Sequence, residues 1–226
     1  MKLKKIASLM LAGIMAVSML AGCKSGTTTD DDNTDVKPVA SDAVAIMNDA
    51  QSAVKFDSNT DFDAALAAAA KKATHSKVKD ATYEIKAVEN DPVYKELAKK
   101  LDVDAGLVSK DDDIFFNALK ESATAGGKSA TLTGLWKVEA NGLTEKAALE
   151  QIASTMKGKA ANDADKYPET VTLTGASAGT YEATYTGNVS IVTVNTSDSG
   201  ETETAYYIAV SVTQTLARDA QTNVKD

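Results

Sequence analysis

Thr204-Ala205-Tyr206-Tyr207-Ile208-Ala209-Val210-Ser211-Val212-Thr213-Gln214-Thr215-Leu216 alternates with period two. Tyr206, Ile208, Val210, Val212 and Leu216 fall on one face, and Tyr207, Ala209, Ser211, Thr213 and Thr215 on the other, as side chains of an extended strand must. Just upstream, Thr180 to Asn195 is a second long run rich in β-branched and aromatic residues. The polar stretch Thr196-Ser197-Asp198-Ser199-Gly200-Glu201 between the two reads as the loop of a hairpin. A short strand is predicted at Val171 to Thr174, beyond Pro168. Another is predicted from Ala130 to Val138, where Ala130, Leu132, Gly134, Trp136 and Val138 share a face and Asn141-Gly142 makes the exit turn. Ala81 to Val88 alternates in the same way and stops at Asn90-Asp91-Pro92.

The rest of the chain has helical spacing. Ser41 or Asp42 can cap a helix carrying Val44, Met47 or Ile46, Ala50 and Val54. Asp61 and Asp63 open a second, alanine-rich helix that closes on Lys71-Lys72. Asp91-Pro92 starts a third with Val93, Leu97 and Leu101 on one side. A short one is expected from Asp112 to Thr124, and Thr144 caps a last one lined by Ala148, Leu149, Ile152, Ala153 and Met156. Neighbouring strands follow one another without regular strand–helix alternation. The pattern predicts an α+β fold: an antiparallel β-sheet with a long C-terminal hairpin, and helices packed mainly on one face. A single domain is expected over residues 41–218, helix-rich in 41–160 and β-rich in 168–218, with a polar tail at 219–226.

The N-terminal end is of another kind. Lys2, Lys4 and Lys5 precede an uncharged apolar run from Ile6 to Leu20, the three-part pattern of an export signal. Fifteen helical residues cover only about 22 Å, short of a hydrocarbon core of roughly 30 Å. Leu20-Ala21-Gly22-Cys23 then supplies an apolar residue, two small residues and the only cysteine of the 226 residues. These four positions resemble the lipobox of bacterial lipoproteins. The resemblance implies that residues 1–22 are a signal peptide and that Cys23 carries a diacylglycerol and begins the mature chain. It also implies attachment to the cell membrane on its extracytoplasmic side. Added acyl chains on Cys23 make such an anchor durable, because one chain alone binds only marginally. Residues 23–40, among them Asp30-Asp31-Asp32, have almost nothing to bury and read as a lipidated cysteine followed by a disordered acidic tether.

Composition narrows the functions. The chain has 24 basic and 32 acidic residues, and residues 1–22 hold three of the lysines and no acid. Such an acidic domain is a poor partner for nucleic acid or for anionic lipid, so the membrane contact is expected to be the lipid on Cys23 alone. With Cys23 consumed, no thiol remains for disulfides or metal ligation.

Gly127-Lys128-Ser129 lacks the first glycine of a phosphate-binding loop, with Ser122 in its place. Asp57, Asn59, Asp61 and Asp63 alternate like calcium ligands, but Phe62 and Ala68 replace the glycine and the closing glutamate that such a loop needs. His75, the only imidazole, lies among Lys71, Lys72 and Lys77 and reads as a surface residue. No catalytic residue, metal site or cofactor is therefore expected. Glu84, Glu89, Glu139, Glu145 and Glu150 offer carboxylates without selecting a pair. Trp136, Tyr181, Tyr185, Tyr206 and Tyr207 are the candidate ligand-binding residues, since aromatic rings stack on sugars or on a partner surface.

The expected function is that of a membrane-anchored extracytoplasmic lipoprotein with a non-catalytic binding domain. Its partner would be an envelope protein, a polysaccharide or a small ligand. The alternatives are the solute-binding lipoprotein of a transporter and a cell-wall-active hydrolase that uses carboxylates.

Overall fold

The computed structural model describes residues 34–37, 42–75, 85–87, 91–102, 107–108, 129–140, 142–156, 167–173 and 178–218. All lie in one compact unit that spans residues 33–226. In chain order they form β1 (Thr34–Lys37), α1 (Ala43–Ala50), β2 (Lys55–Phe56), α2 (Thr60–Ala70), β3 (Ile85–Ala87), α3 (Pro92–Lys100) and β4 (Leu107–Val108). There follow β5 (Ser129–Glu139), α4 (Glu145–Met156), β6 (Thr170–Leu173), β7 (Gly179–Asp198) and β8 (Glu201–Arg218).

The fold is α+β, built on one sheet with the order β1-β7-β8-β5-β3, with β2 and β6 beside β7 and β4 beside β5. β7 and β8 pair antiparallel without interruption from Tyr181↔Arg218 to Asp198↔Glu201, and β5 adds its whole length to the other side of β8. The expected hairpin is longer than its sequence boundaries. The polar stretch from Thr196 to Glu201 contributes rungs up to a two-residue turn, Ser199-Gly200, with φ of 52° and 87°. Two successive positive φ values match the right-handed twist of the flanking strands, and glycine takes the second at no steric cost.

Both faces of the sheet are packed. Tyr206, Ile208, Val210 and Val212 of β8, Val189 and Ile191 of β7 and Trp136 and Val138 of β5 form one core with α1 and α4. Tyr207 and Ala209, Val192 and Val194, and Leu135 point the other way, against α2 and α3. The four described helices thus divide two and two between the faces, where the sequence pattern placed the helices mainly on one. The reason is in the strands themselves, since Val192, Val194, Tyr207 and Ala209 make the supposedly solvent-facing positions apolar as well. An antiparallel sheet with such strands must be covered twice. Beyond the reach of α2 and α3 the same face turns polar. Thr131, Thr184, Thr213 and Thr215 lie there, with the Thr131 and Thr213 hydroxyls bonded at 2.7 Å.

Local chemistry sets the helix starts. Asn59 Oδ1 accepts from the amides of Asp61 and Phe62 at 3.1 and 3.0 Å, and Asp91 Oδ1 from that of Val93 at 2.8 Å, with Pro92 in the first turn. Thr144 Oγ1 accepts from the Ala147 amide at 3.2 Å. Asp42 stands before α1 without a side-chain cap. Two side-chain amides then stitch α1 to the sheet. Asn48 exchanges two 2.9 Å bonds with the Phe56 backbone, and the buried Gln51 clamps both backbone groups of Val54.

One part of the expected tether is a strand. Thr34 to Lys37 pairs antiparallel with Thr196 to Thr193 of β7. The pairing uses backbone groups, so the polar composition that suggested a tether does not prevent it, and Val36 packs against the second core. The helix expected at residues 112–124 lies outside the described residues, as do Lys157-Gly158-Lys159, the tail at 219–226 and most of the strand expected at 81–88.

Candidate functional site

At the turn end of the hairpin, on the α1/α4 face, an open groove of about 540 Å³ lies between the start of α1, the start of α4 and β1. Its floor is two cross-strand pairs, Asn195↔Thr204 and Thr193↔Tyr206. Its rim carries Lys37, Asp42 and Lys146, and Ile46 and Leu143 supply apolar wall.

The floor is fixed by hydrogen bonds. Thr193 Oγ1 donates to Glu145 Oε1, which ties the first residue of α4 to β7. Thr204 Oγ1 donates to Asn195 Oδ1 at 2.7 Å, and Tyr206 Oη donates to the Leu143 carbonyl at 2.7 Å. Burial, with the Glu145 carboxylate adding to it, pushes the Tyr206 phenol above its ordinary range. Tyr206 therefore holds its proton and its bond to the loop before α4 through the neutral range.

Of the five aromatic candidates only Tyr206 reaches this groove. Trp136 lies over Gly134 within the α1/α4 core, and Tyr181 packs with Val171, Leu173 and Leu216 at the far end of the hairpin. Tyr185 donates to the Pro168 carbonyl at 3.1 Å, accepts from Gln214 Nε2 at 2.8 Å and meets Tyr167 edge-on at 5.0 Å. Tyr207 is on the opposite face, donating to Asp91 Oδ2 at 3.1 Å. None of the five is more than 8% exposed, so they do not form a stacking platform. Among the candidate glutamates that the structure describes, Glu145 alone lines the groove. Glu145, Asn195 and Thr204 come together only through the register of β7 with β8 and the docking of α4, and no local spacing in the sequence announces that.

A second polar cluster sits on the α2/α3 face. Lys137 Nζ and Glu203 Oε1 are 2.8 Å apart with both side chains largely buried, and His75 Nδ1 is 3.8 Å from Glu203 Oε2. His75, expected at the surface, is thus mostly enclosed, with its side chain only 11% exposed. Lys71 and Lys72 project to solvent while the ring turns inward toward β8. Among the described residues no three His, Cys, Asp or Glu side chains gather to hold a metal ion. Asn59 serves as the cap of α2, and burial holds the Asp63 carboxyl above its usual range.

The enclosed phenols make a pH prediction. Burial raises Tyr185, Tyr206 and Tyr207, with the Asp91 charge adding to burial at Tyr207. In the unfolded chain a tyrosine ionises near pH 10. The stabilisation from keeping these protons is fully present below that pH and is lost as pH rises above it toward the higher folded values. In an absorbance titration at about 295 nm, Tyr185 and Tyr207 of the seven tyrosines should ionise only together with loss of the far-ultraviolet circular dichroism signal. Ionisation of all seven before unfolding would contradict the packing.

The chain matches no known protein family, no curated protein and no solved structure in the three comparisons made.

Proposed function

We propose that this chain is a lipid-anchored extracytoplasmic lipoprotein whose α+β domain binds a ligand without transforming it, and that the ligand sits in the groove above Asn195 and Thr204. The observation that carries the binding half is the groove itself. It is open, its volume falls in the range usual for small-molecule sites, and its polar floor is held in place by the bonds from Thr193, Thr204 and Tyr206. The Leu20-Ala21-Gly22-Cys23 tetrapeptide supports the anchoring half. With β1 taken into the sheet, ten residues, Lys24 to Asn33, separate the lipidated cysteine from the domain. A chain of that length reaches at most about 36 Å, so the groove would work close to the membrane surface.

Two measurements test the two halves. A clickable fatty acid should label the wild-type chain in cells and leave Cys23→Ala unlabelled, and equal labelling overturns the anchor. Binding is tested by NMR on the full-length chain in detergent, screened against a diverse library of small polar molecules. Hits should shift the backbone amides of Asn195, Thr204 and Glu145 together, and a library that never perturbs these three overturns the groove as the ligand site.

A further inference from the structure

Resting on the groove as the ligand site, we infer that its ligand is a saccharide, held through the hydroxyls of an uncharged pyranose ring. The rim and walls carry two cations, Lys37 and Lys146, and two anions, Asp42 and Glu145. The lining therefore has no net formal charge although the chain is strongly acidic, and it selects neither an anion nor a cation by its field.

The floor then decides between neutral ligands. Thr204 occupies Asn195 Oδ1, which leaves the Nδ2 amide, with its two N–H donors, without a hydrogen bond among the described residues. Thr193 occupies Glu145 Oε1, which leaves Oε2 as an acceptor. A donor-only group and an acceptor-only group thus face the same space, each held by a threonine. A hydroxyl donates and accepts at once, so vicinal or opposed hydroxyls satisfy both groups, and each bond polarises the next.

The spacing agrees with this reading. Thr193 and Asn195 are two residues apart on one face of β7, roughly 6.8 Å along the strand, so the Glu145 carboxylate held by Thr193 and the Asn195 amide stand over neighbouring positions of the floor. A pyranose carries several hydroxyls around one ring and can meet both groups at once, and Ile46 and Leu143 offer apolar wall for its C–H faces. The volume leaves room for one or two sugar rings.

The test uses the purified full-length chain in a detergent without a sugar headgroup. It is applied to an array of neutral and acidic glycans, and the best glycan is then titrated by calorimetry. The dipeptide Ala-Ala serves as a zwitterionic comparator. A neutral glycan should bind, and Asn195→Ala and Glu145→Gln should each weaken it about tenfold or more, the usual consequence of losing a hydrogen bond to or from a charged or polar partner. Asn195→Asp keeps the shape and replaces the donors by an acceptor, so it should lose binding too while melting like the wild type. Binding of Ala-Ala with no glycan bound overturns the saccharide and leaves the groove standing. Glycan binding that none of the three variants weakens places the sugar elsewhere and overturns the inference. If no glycan binds, it falls, and the NMR screen separately decides whether the groove falls with it.

Discussion

Replacing Glu203 by alanine is expected to destabilise the protein by about 3–5 kcal/mol, among the largest effects of any single substitution on the α2/α3 face. Glu203 is 7% exposed, and its carboxylate lies 2.8 Å from Lys137 Nζ on the neighbouring part of the sheet. Removing it leaves an ammonium in a largely enclosed place without the carboxylate that offsets its lost hydration. The cost comes from that desolvation and not from a strong attraction in the intact pair, and the double variant Lys137→Met/Glu203→Leu separates the two. It should regain most of the stability lost by Glu203→Ala, because apolar side chains of similar length fill the same space beside Tyr207 and Leu135 without a charge to desolvate. Chemical denaturation in urea measures both. A double variant no more stable than the single one would mean that the pair, or the neighbouring His75, holds β8 in register in a way that packing cannot replace.

The hairpin that frames this pair was legible from residues 180–216, because two long runs rich in β-branched and aromatic residues, the second alternating with period two, flank a polar turn. The starts of α3 and α4 were legible for an equally local reason, in that a capping side chain acts within three residues of itself; the start of α2 was marked by Asp61 and Asp63, while its cap, Asn59, was read only as a member of a calcium-like run. What local pattern does not carry is which elements meet. Val192, Val194, Tyr207 and Ala209 already made the second face of the hairpin apolar, and read for both faces the same stretch would have required helices on each side. β1 was hidden because Thr34-Asp35-Val36-Lys37 pairs through its backbone, which composition does not report. His75 was misplaced for the opposite reason: Lys71 and Lys72 shortly before it are exposed, while its spatial neighbour is Glu203 on a distant strand. The groove belongs to the same category. Glu145, Asn195 and Thr204 are common residue types in ordinary positions, a helix start and two strand rungs, and only the closure of α4 over the hairpin turns them into a site. Tyr206 was picked out as an aromatic, and its contribution is its hydroxyl, which fixes the loop before α4.

Gly134→Ala is the companion case on the α1/α4 face, where the question is room and not charge. The Trp136 indole lies flat over Gly134, so that a methyl group there would approach Cζ3 to 2.7 Å. The obstacle is a large ring inside a packed core, only 8% exposed, and it cannot swing away without displacing its neighbours. We expect a loss of about 3 kcal/mol, hence a fall in Tm of roughly 6–12 °C for a domain of this size. Trp136→Leu costs stability by itself through the cavity it opens, but in that background Gly134→Ala should cost almost nothing, because the new methyl fills space that the ring has left. Gly187 provides the contrast. A methyl there meets the Ser211 carbonyl oxygen at 2.6 Å as well as the Phe56 ring at 2.7 Å. Backbone in the middle of the β7–β8 ladder does not yield, so Gly187→Ala should remain destabilising even when Phe56 is shortened to leucine. Thermal melts of the two double-mutant cycles check both expectations. Strong coupling at Gly134–Trp136 with weak coupling at Gly187–Phe56 is the predicted result, and equal coupling at the two sites would show that the indole does not rest on Gly134 in solution.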